Sequence, residues 1–324
     1  MSTYSETAPA AAVQQEDATP PRSRAVVYDR RLVGTKNFYA GLTVTVPTLF
    51  TAYAVFLAFR EGVSGLDIAM CLVMYLLTLM GITVGFHRLL AHRSFVADRW
   101  VKIVFAVFGT WAAQAPVIHW VANHRRHHAT SDQPGDPHSP HLSGSTLSGR
   151  IKGLWHAHIG SMFAPEVTNY ATFGPDLLRD PDIRWLNNNY LWVVLSGLAL
   201  PAAIGGLVTQ SWWGAWTALV WGGFVRMFVV HHAIWAITSI AHTVGRRVYE
   251  SGDHARNFAL LALVTGGEGW HSTHHAFPRT AIFSTAPWQI DIGGIFIWAL
   301  EKMGAAREVN RLTPEQMRAK ALYR

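Results

Sequence analysis

The sequence predicts an all-α membrane protein with four transmembrane helices arranged as two hairpins. Three observations carry this. Of its 324 residues, 50% are hydrophobic and only 15% charged, well below the quarter or so that soluble domains carry. Long apolar runs recur along the chain. Histidines cluster at the ends of those runs, in a pattern that constrains how often the chain can cross a bilayer. The mean hydropathy is +0.16, and the 14 tryptophans suit membrane interfaces, where the indole ring is favoured.

Residues 1–33 read as a disordered N-terminal tail, rich in Ala, Pro, Ser and Thr and without periodicity. No basic start leads into an apolar stretch, so a secretory signal is not expected. A span needs about 20 mostly apolar residues. Five runs compete: 38–59 with Pro47 inside, 68–86, 101–118 with Lys102 and Gln114, 191–208, and 213–235. The stretch 258–264 is too short to cross. Only REGVSGLD separates the first two runs, and little more than TQS separates the last two. Both pairs therefore read as hairpins. Arg22, Arg24, Arg30, Arg31 and Lys36 precede the first run, and most other Lys and Arg lie in 87–188 and 243–324. The positive-inside rule then puts both termini and both large polar regions in the cytoplasm, with an inner or plasma membrane as the location. Residues 301–324 read as a basic C-terminal helix or tail.

The net charge of +7 and isoelectric point near 9.7 do not point to nucleic acid. The basic residues flank apolar segments and form no stripe along a helix, so lipid headgroups or an acidic soluble partner fit them better. The one cysteine, Cys71, lies in an apolar run. It excludes an internal disulfide and a cysteine-ligated iron–sulfur centre.

Nine of the seventeen histidines form four notable sets. His87 and His92 follow the second run. His124, His127 and His128 share one helix face, as do His271, His274 and His275, because i, i+3 and i+4 neighbours align. His242 stands alone after the last run. His87 and His92 are five apart, about 140° out on an ideal helix. They converge only on adjacent metals or across a helix distortion. Imidazole suits iron, copper or zinc, and nine are too many for one ion and suit two. If all nine meet, an even number of crossings separates each set from the next. The run 101–118 then lies in the interface, where Arg99, Trp100 and Trp120 suit it, and four spans remain. His138, His141, His156, His158, His231, His232, His119 and His254 carry weaker or no pattern. Arg226, inside the fifth run, is either functional or satisfied by a carbonyl.

Four segments, GFHRLLAHRSF, NHRRHHATSDQPGDPHSP, GLWHAHIG and GEGWHSTHHAFPR, resemble the membrane-bound fatty acid desaturases, in particular the acyl-CoA Δ9, stearoyl-CoA type branch. The resemblance covers residues 34–300. It implies a membrane-embedded desaturase domain of four spans capped by a cytosolic helical domain with a non-haem diiron centre. The nine ligands it implies fall on His87, His92, His124, His127, His128, His242, His271, His274 and His275. Arg226 and Trp235 keep the offsets from His242 seen in the animal enzymes. Two positions depart from the family. Thr238 replaces an Asn that holds a water on one iron, and Asn123 replaces an Asp implicated in headgroup contact. Glu268, Asp132 and Asp136 are candidate carboxylates to orient the imidazoles.

The implied reaction inserts a cis double bond, at Δ9, into a saturated acyl chain carried on CoA or a lipid. An unactivated methylene C–H bond is beyond acid–base chemistry, so metal and O2 must supply the oxidant. The acyl chain should lie in a narrow tunnel among the spans, with Arg125, Arg126, Lys152, Arg246 and Arg247 as candidate contacts for phosphates or lipid headgroups. With no GxGxxG after a strand and no ferredoxin cysteines, electrons are expected from a separate ferredoxin, rubredoxin or cytochrome with its NAD(P)H reductase. Two rival readings share the histidines. One is a histidine-box hydroxylase of alkanes, sterols or carotenoids, which would yield an alcohol. The other is a metal transporter, although transporters place their ligands near the bilayer midplane.

Overall fold

The structure is a computed structural model and describes residues 24–323. The predicted tail falls mainly on residues 1–23, which lie outside the described residues. Four helices are long and apolar enough to cross a membrane: Arg30–Glu61, Gly65–Ala91, Tyr190–Thr209 and Trp212–Ser239. They coincide with the four expected runs and extend beyond each of them.

Helix α1, Arg30–Glu61, starts inside the expected tail. Asp29 fixes this start, because its carboxylate accepts from the backbone N–H groups of Arg31 at 2.8 Å and Leu32 at 3.0 Å, satisfying two donors of the first turn. Ahead of it, β1 (Val26–Val27) pairs antiparallel with β3 (Val167–Thr168), Val26 opposite Thr168. Residues 26–27 and 30–33, inside the segment read as tail, are therefore regular structure. Gly62 takes a left-handed φ of 78°, and α2 (Gly65–Met80) opens with a capping box between Ser64 and Asp67. Beyond their short connection, α1 and α2 each lean on the middle of the fourth span, where Phe50 stacks on Phe224 with ring centroids 4.0 Å apart.

Two spans contain π-helical segments. The second continues from α2 as a π-helix over Gly81–Ala91. The fourth runs as α9 (Trp212–Ala218), a π-turn at Leu219–Val225, and α10 (Arg226–Ser239). The third, α8 (Tyr190–Thr209), packs along α9.

Helix α3 spans Arg99–Trp111. At about 1.5 Å per residue it measures roughly 20 Å, too short to cross. It lies against the second and third spans, where Gly81 and Gly109 bring two backbones together so closely that a Cβ on either would overlap the other segment. The single helix expected over 101–118 does not form. The chain breaks after Trp111, passes Ala113 and Ala115 at positive φ, and restarts as α4 (Val117–Thr130) after Pro116. Proline disfavours helix at the residue before it, which makes residues 112–118 two ends and a turn.

The remaining described α-helices are α5 (Leu147–His158), α6 (Tyr170–Phe173), α7 (Pro181–Asn188), α11 (Ala259–Val264), α12 (His271–Ala276), α13 (Ile292–Lys302) and α14 (Pro314–Lys320). In the C-terminal segment, α13 ends at Lys302 and α14 forms a short basic helix. Upstream, β4 (Ala306–Arg307) pairs with β2 (Val96–Ala97). Downstream, Ala321 bridges to Tyr249, and the segment is held by Glu250 N–H to the Lys320 carbonyl at 2.8 Å.

Candidate metal centre

Three helices and one turn bring the nine expected histidines together. The π-helix supplies His87, and His92 caps its end, its N–H donating to the His87 carbonyl at 3.0 Å. This wide turn reconciles a five-residue spacing with one shared destination, and the two rings lie 4.8 Å apart. Helix α4 supplies His124, His127 and His128, and α12 supplies His271, His274 and His275. His242 follows the end of α10. His92 and His124 lie together, so α3 does not put them on opposite sides of a membrane.

The ring nitrogens sort into two sets, each with its candidate ligand atoms within 4.8 Å of one another. One comprises His87, His92, His124, His128 and His274, and the other His127, His242, His271 and His275. In the first, Nε2 atoms approach at 3.0 Å between His87 and His274, 2.7 Å between His92 and His124, and 2.9 Å between His128 and His274. In the second, His242 and His271 approach through Nε2 at 3.1 Å.

Carboxylates stand behind the rings. Glu268 Oε2 lies 2.6 Å from His87 Nδ1. Asp136 accepts from His127 Nδ1 at 2.9 Å, Asp132 from His242 Nδ1 at 2.9 Å, and Asp253 from His275 Nδ1 at 2.5 Å. A proton held on Nδ1 leaves the Nε2 lone pair free to bind a cation. The Nε2 atoms of His127 and His275 are buried with no hydrogen-bond partner. An unpartnered buried acceptor is costly, and a metal ion is what this donor set would satisfy. All the candidate ligands are imidazoles. That suits iron, copper or zinc.

Electrostatics agree. Burial holds His92, His124, His128, His271, His274 and His275 well below the usual imidazole range, and repulsion among the rings acts in the same sense. These six rings therefore stay neutral, as metal binding requires, whereas at His127 burial is outweighed by Asp136, which raises that ring's pKa. The same burial takes His138 down to about 3. Asp132 and Asp136 lie below the usual carboxylate range. Burial opposes this, but His242 and His127 respectively outweigh it.

Glu268 also takes a hydrogen bond from Thr83 and lies 3.4 Å from Arg88. Arg88 in turn pairs with Asp291 at 2.8 Å and lies over the Phe283 ring, which packs on His274 at 4.8 Å. Glu268, Asp132 and Asp136 thus each contact the Nδ1 of one of the nine imidazoles. Asp253, in the segment SGDHA, is the carboxylate that sequence reasoning missed. No spacing rule ties it to His275, and the contact exists because the segment holding Arg246 and Asn257 folds back toward Trp270.

A cavity of about 500 Å³ reaches this centre. It runs from Leu32, Lys36 and Thr43 on α1 to Trp120 and the candidate ligand His124, a volume typical of small-molecule sites. Asn123, Trp235 and Thr238 all line it. Asn123 Oδ1 accepts from Thr168, and its amide donates to His119 Nε2 at 2.8 Å. His119 Nδ1 then faces the Tyr170 hydroxyl at 2.8 Å. The Thr238 hydroxyl is hydrogen-bonded to the carbonyls of Ala157 at 2.8 Å and Trp235 at 3.0 Å.

Other candidates are absorbed by the fold. Arg226 is fully buried and donates to the carbonyls of Gly222 at 2.9 Å and Trp111 at 2.5 Å. His231 Nε2 is 2.6 Å from the Ala112 carbonyl. Arg125 pairs with Asp176 at 2.6 Å, and Arg126 bonds the Gly135 carbonyl at 2.9 Å, so neither guanidinium is free for a phosphate.

The model of the fatty acid desaturase family matches residues 66–289 of this chain. Among its relatives is the hex-5-enoyl-[acyl-carrier protein] acetylenase of Moorena producens (strain JHB), 42% identical over 89% of this chain and 90% of the relative. The sn-1 stearoyl-lipid 9-desaturase of Anabaena variabilis is 32% identical over 81% of this chain and 91% of the relative. The acyl-CoA C20 Delta5-desaturase of Anemone leveillei is 33% identical over 74% and 72%. The matched region contains all nine converging histidines and the carboxylates behind them, and these likenesses extend over most of the sequence: the chain belongs to the fatty acid desaturase family.

Proposed function

We propose that this membrane protein introduces a cis double bond at Δ9 of a saturated acyl chain, using O2 and a pair of iron ions. The reading rests on one observation above all, the gathering of nine imidazoles into a set of five and a set of four. The first set would hold one ion and the second the other. The reaction balances as –CH2–CH2– with O2, two electrons and two protons giving –CH=CH– and two waters. When bound, the iron pair supplies with O2 the oxidising power that no side chain has.

The chain's own groups do the rest. Glu268, Asp132, Asp136 and Asp253 fix the tautomer and orientation of four imidazoles. The cavity holds the acyl chain extended past Trp120 and His124 and shields it from water. We assign the desaturase domain to residues 34–300.

The acyl chain is proposed to arrive as a thioester on a phosphopantetheine arm, as in coenzyme A or an acyl-carrier protein. The acetylenase relative is named for an acyl-carrier-protein substrate and the Anemone relative for acyl-CoA. The Anabaena relative is named for a lipid substrate, so an acyl lipid is the competing outcome. A separate electron donor is implied by the family. We propose an acidic ferredoxin, rubredoxin or cytochrome fed by an NAD(P)H reductase, meeting a basic cytoplasmic face. We propose that both termini and the centre lie on that face of an inner or plasma membrane, a reading supported by the distribution of Lys and Arg.

Expression in a desaturase-deficient host, with double-bond derivatisation and mass spectrometry, tests the reaction. A Δ9 alkene supports it. An alcohol from the same chain favours the hydroxylase, and no new product with iron loaded and a donor present overturns it. Purified protein given the same acyl group on CoA, on acyl-carrier protein and on lipid identifies the carrier, and turnover of the lipid alone overturns the thioester assignment.

A further inference from the structure

A second opening reaches the nine histidines from a different side. It is a cleft of about 250 Å³ whose walls include Thr130, Ser131, Gln133, Ser251 and Asp253, with His128 and His275 facing into it. Those two rings come one from each set. No residue of this cleft also lines the larger cavity, which touches the centre at His124. The two openings differ in chemistry as well as position. The larger is walled by Tyr39, Trp120, Tyr190, Ile234 and Trp235 among others, whereas the smaller is walled by hydroxyl, amide and carboxylate groups.

Polar side chains around a void are stable only where water or another polar partner meets them. At roughly 30 Å³ per water, the cleft holds several. Asp253 is anchored at its edge, bonded to Ser251 at 2.5 Å as well as to His275, while Ala129, Gln133 and Gly252 at the rim are exposed. An acyl chain seated in the larger cavity would block that route to the centre. A separate opening is then needed for whatever travels in water.

We propose that this cleft is the aqueous port of the metal centre, the route by which hydrophilic small species reach and leave the histidines while the larger cavity is occupied. Those species are the metal ions during loading, the water formed in the reaction, and small inorganic anions. The port rests on the metal-centre reading above and goes beyond it by separating two traffics, apolar chain on one side and water-borne species on the other.

The test uses full-length protein with Gln133→Cys, purified, folded and iron-loaded, then labelled at the introduced thiol with a small methyl or a bulky aromatic methanethiosulfonate. Labelling after folding removes any effect on folding, and the label comes off with reductant. The parent with its native Cys71, treated identically, is the control. Azide is the probe, and its binding rate is followed by the absorbance of the ferric centre. The bulky adduct should slow azide binding on the order of tenfold, the methyl adduct much less, and reductant should restore the rate. Iron uptake by the labelled apoprotein should slow in parallel. Met162→Trp, in the larger cavity, should weaken acyl binding and leave the azide rate unchanged. Unchanged azide and iron-uptake rates in the bulky adduct, with azide slowed instead by Met162→Trp, overturn the port. Iron content of the parent is measured first: a parent that binds no iron overturns the metal-centre reading itself, whereas an iron-loaded parent indifferent to the label overturns the port alone.

Discussion

Asp253 Oδ2 accepts a hydrogen bond from His275 Nδ1 at 2.5 Å, and a backbone N–H from Ala255 and the Ser251 hydroxyl hold Asp253 Oδ1 in turn. The carboxylate thus sets which nitrogen of His275 faces the centre. The ring's buried Nε2 has no other partner. Replacing Asp253 by Asn keeps the shape but removes the charge that favours Nδ1–H. Loss of such a support typically costs ~10- to 100-fold in metal affinity. Competition against a calibrated chelator should show a drop of that size for Asp253→Asn, with the helical circular dichroism unchanged.

The contact between the second span and α3 depends on two glycines. A Cβ at Gly81 would overlap the backbone at Gly109, whereas one at Gly34 meets nothing within 4 Å. Forcing a side chain into a packed interface costs about 1–3 kcal/mol. Gly81→Ala should therefore lower stability in detergent by that amount or more. Gly34→Ala, on the exposed start of α1, should leave it level or slightly raised through helix propensity. Equal effects of the two would contradict the close crossing.

Arg226 holds a structural position. Its guanidinium ties the fourth span to the last carbonyl of α3, at Trp111, and to its own preceding turn. Arg226→Met leaves buried carbonyls without a donor, a loss of roughly 1–3 kcal/mol for each group left unpaired. The expected result is a lower unfolding midpoint with full iron content in the molecules that remain folded. Iron lost without loss of stability would give Arg226 a direct role at the centre instead.

His119 gives the fold an acid sensitivity with a defined direction. Burial, with Lys36 adding to it, brings its pKa down to about 4, against about 6.5 in an unfolded chain. Between these values the unfolded chain holds a proton that the folded one does not, so stability falls as pH drops through that window. The total is up to about 3 kcal/mol. His119→Gln keeps a partner for Asn123 and removes the titration. Its stability should decline less steeply than the parent's between pH 6.5 and 4, as measured by denaturant unfolding.

The four spans and the candidate ligands were legible because both leave periodic marks. Apolar runs announce helices, and HxxHH places three rings on one face wherever the helix ends up. For the awkward pair His87 and His92 the sequence left two routes, adjacent metals or a helix distortion, and the structure provides the distortion as a π-helix. What the sequence hid is set by long-range contact. Residues 101–118 are mostly apolar, with only Lys102, Thr110 and Gln114 polar, so hydropathy does not register the break that Pro116 and the positive-φ pair Ala113 and Ala115 create. Asp253 is an isolated carboxylate whose partner is 22 residues away, and no local pattern joins them. Val26–Val27 is too short a run to read as a strand by itself and is paired with its partner at 167–168. In the C-terminal segment the helix over Pro314–Lys320 carries basic residues, whereas the pairing of Ala321 with Tyr249 leaves no local mark.

Iron stoichiometry tests the central claim most directly. Protein purified from iron-supplemented cells and assayed for metal per chain should carry two irons, and His242→Ala, which removes a ligand from the four-histidine set, should leave the occupancy nearer one. A parent that binds a single ion, or that binds zinc in preference to iron under these conditions, would contradict it.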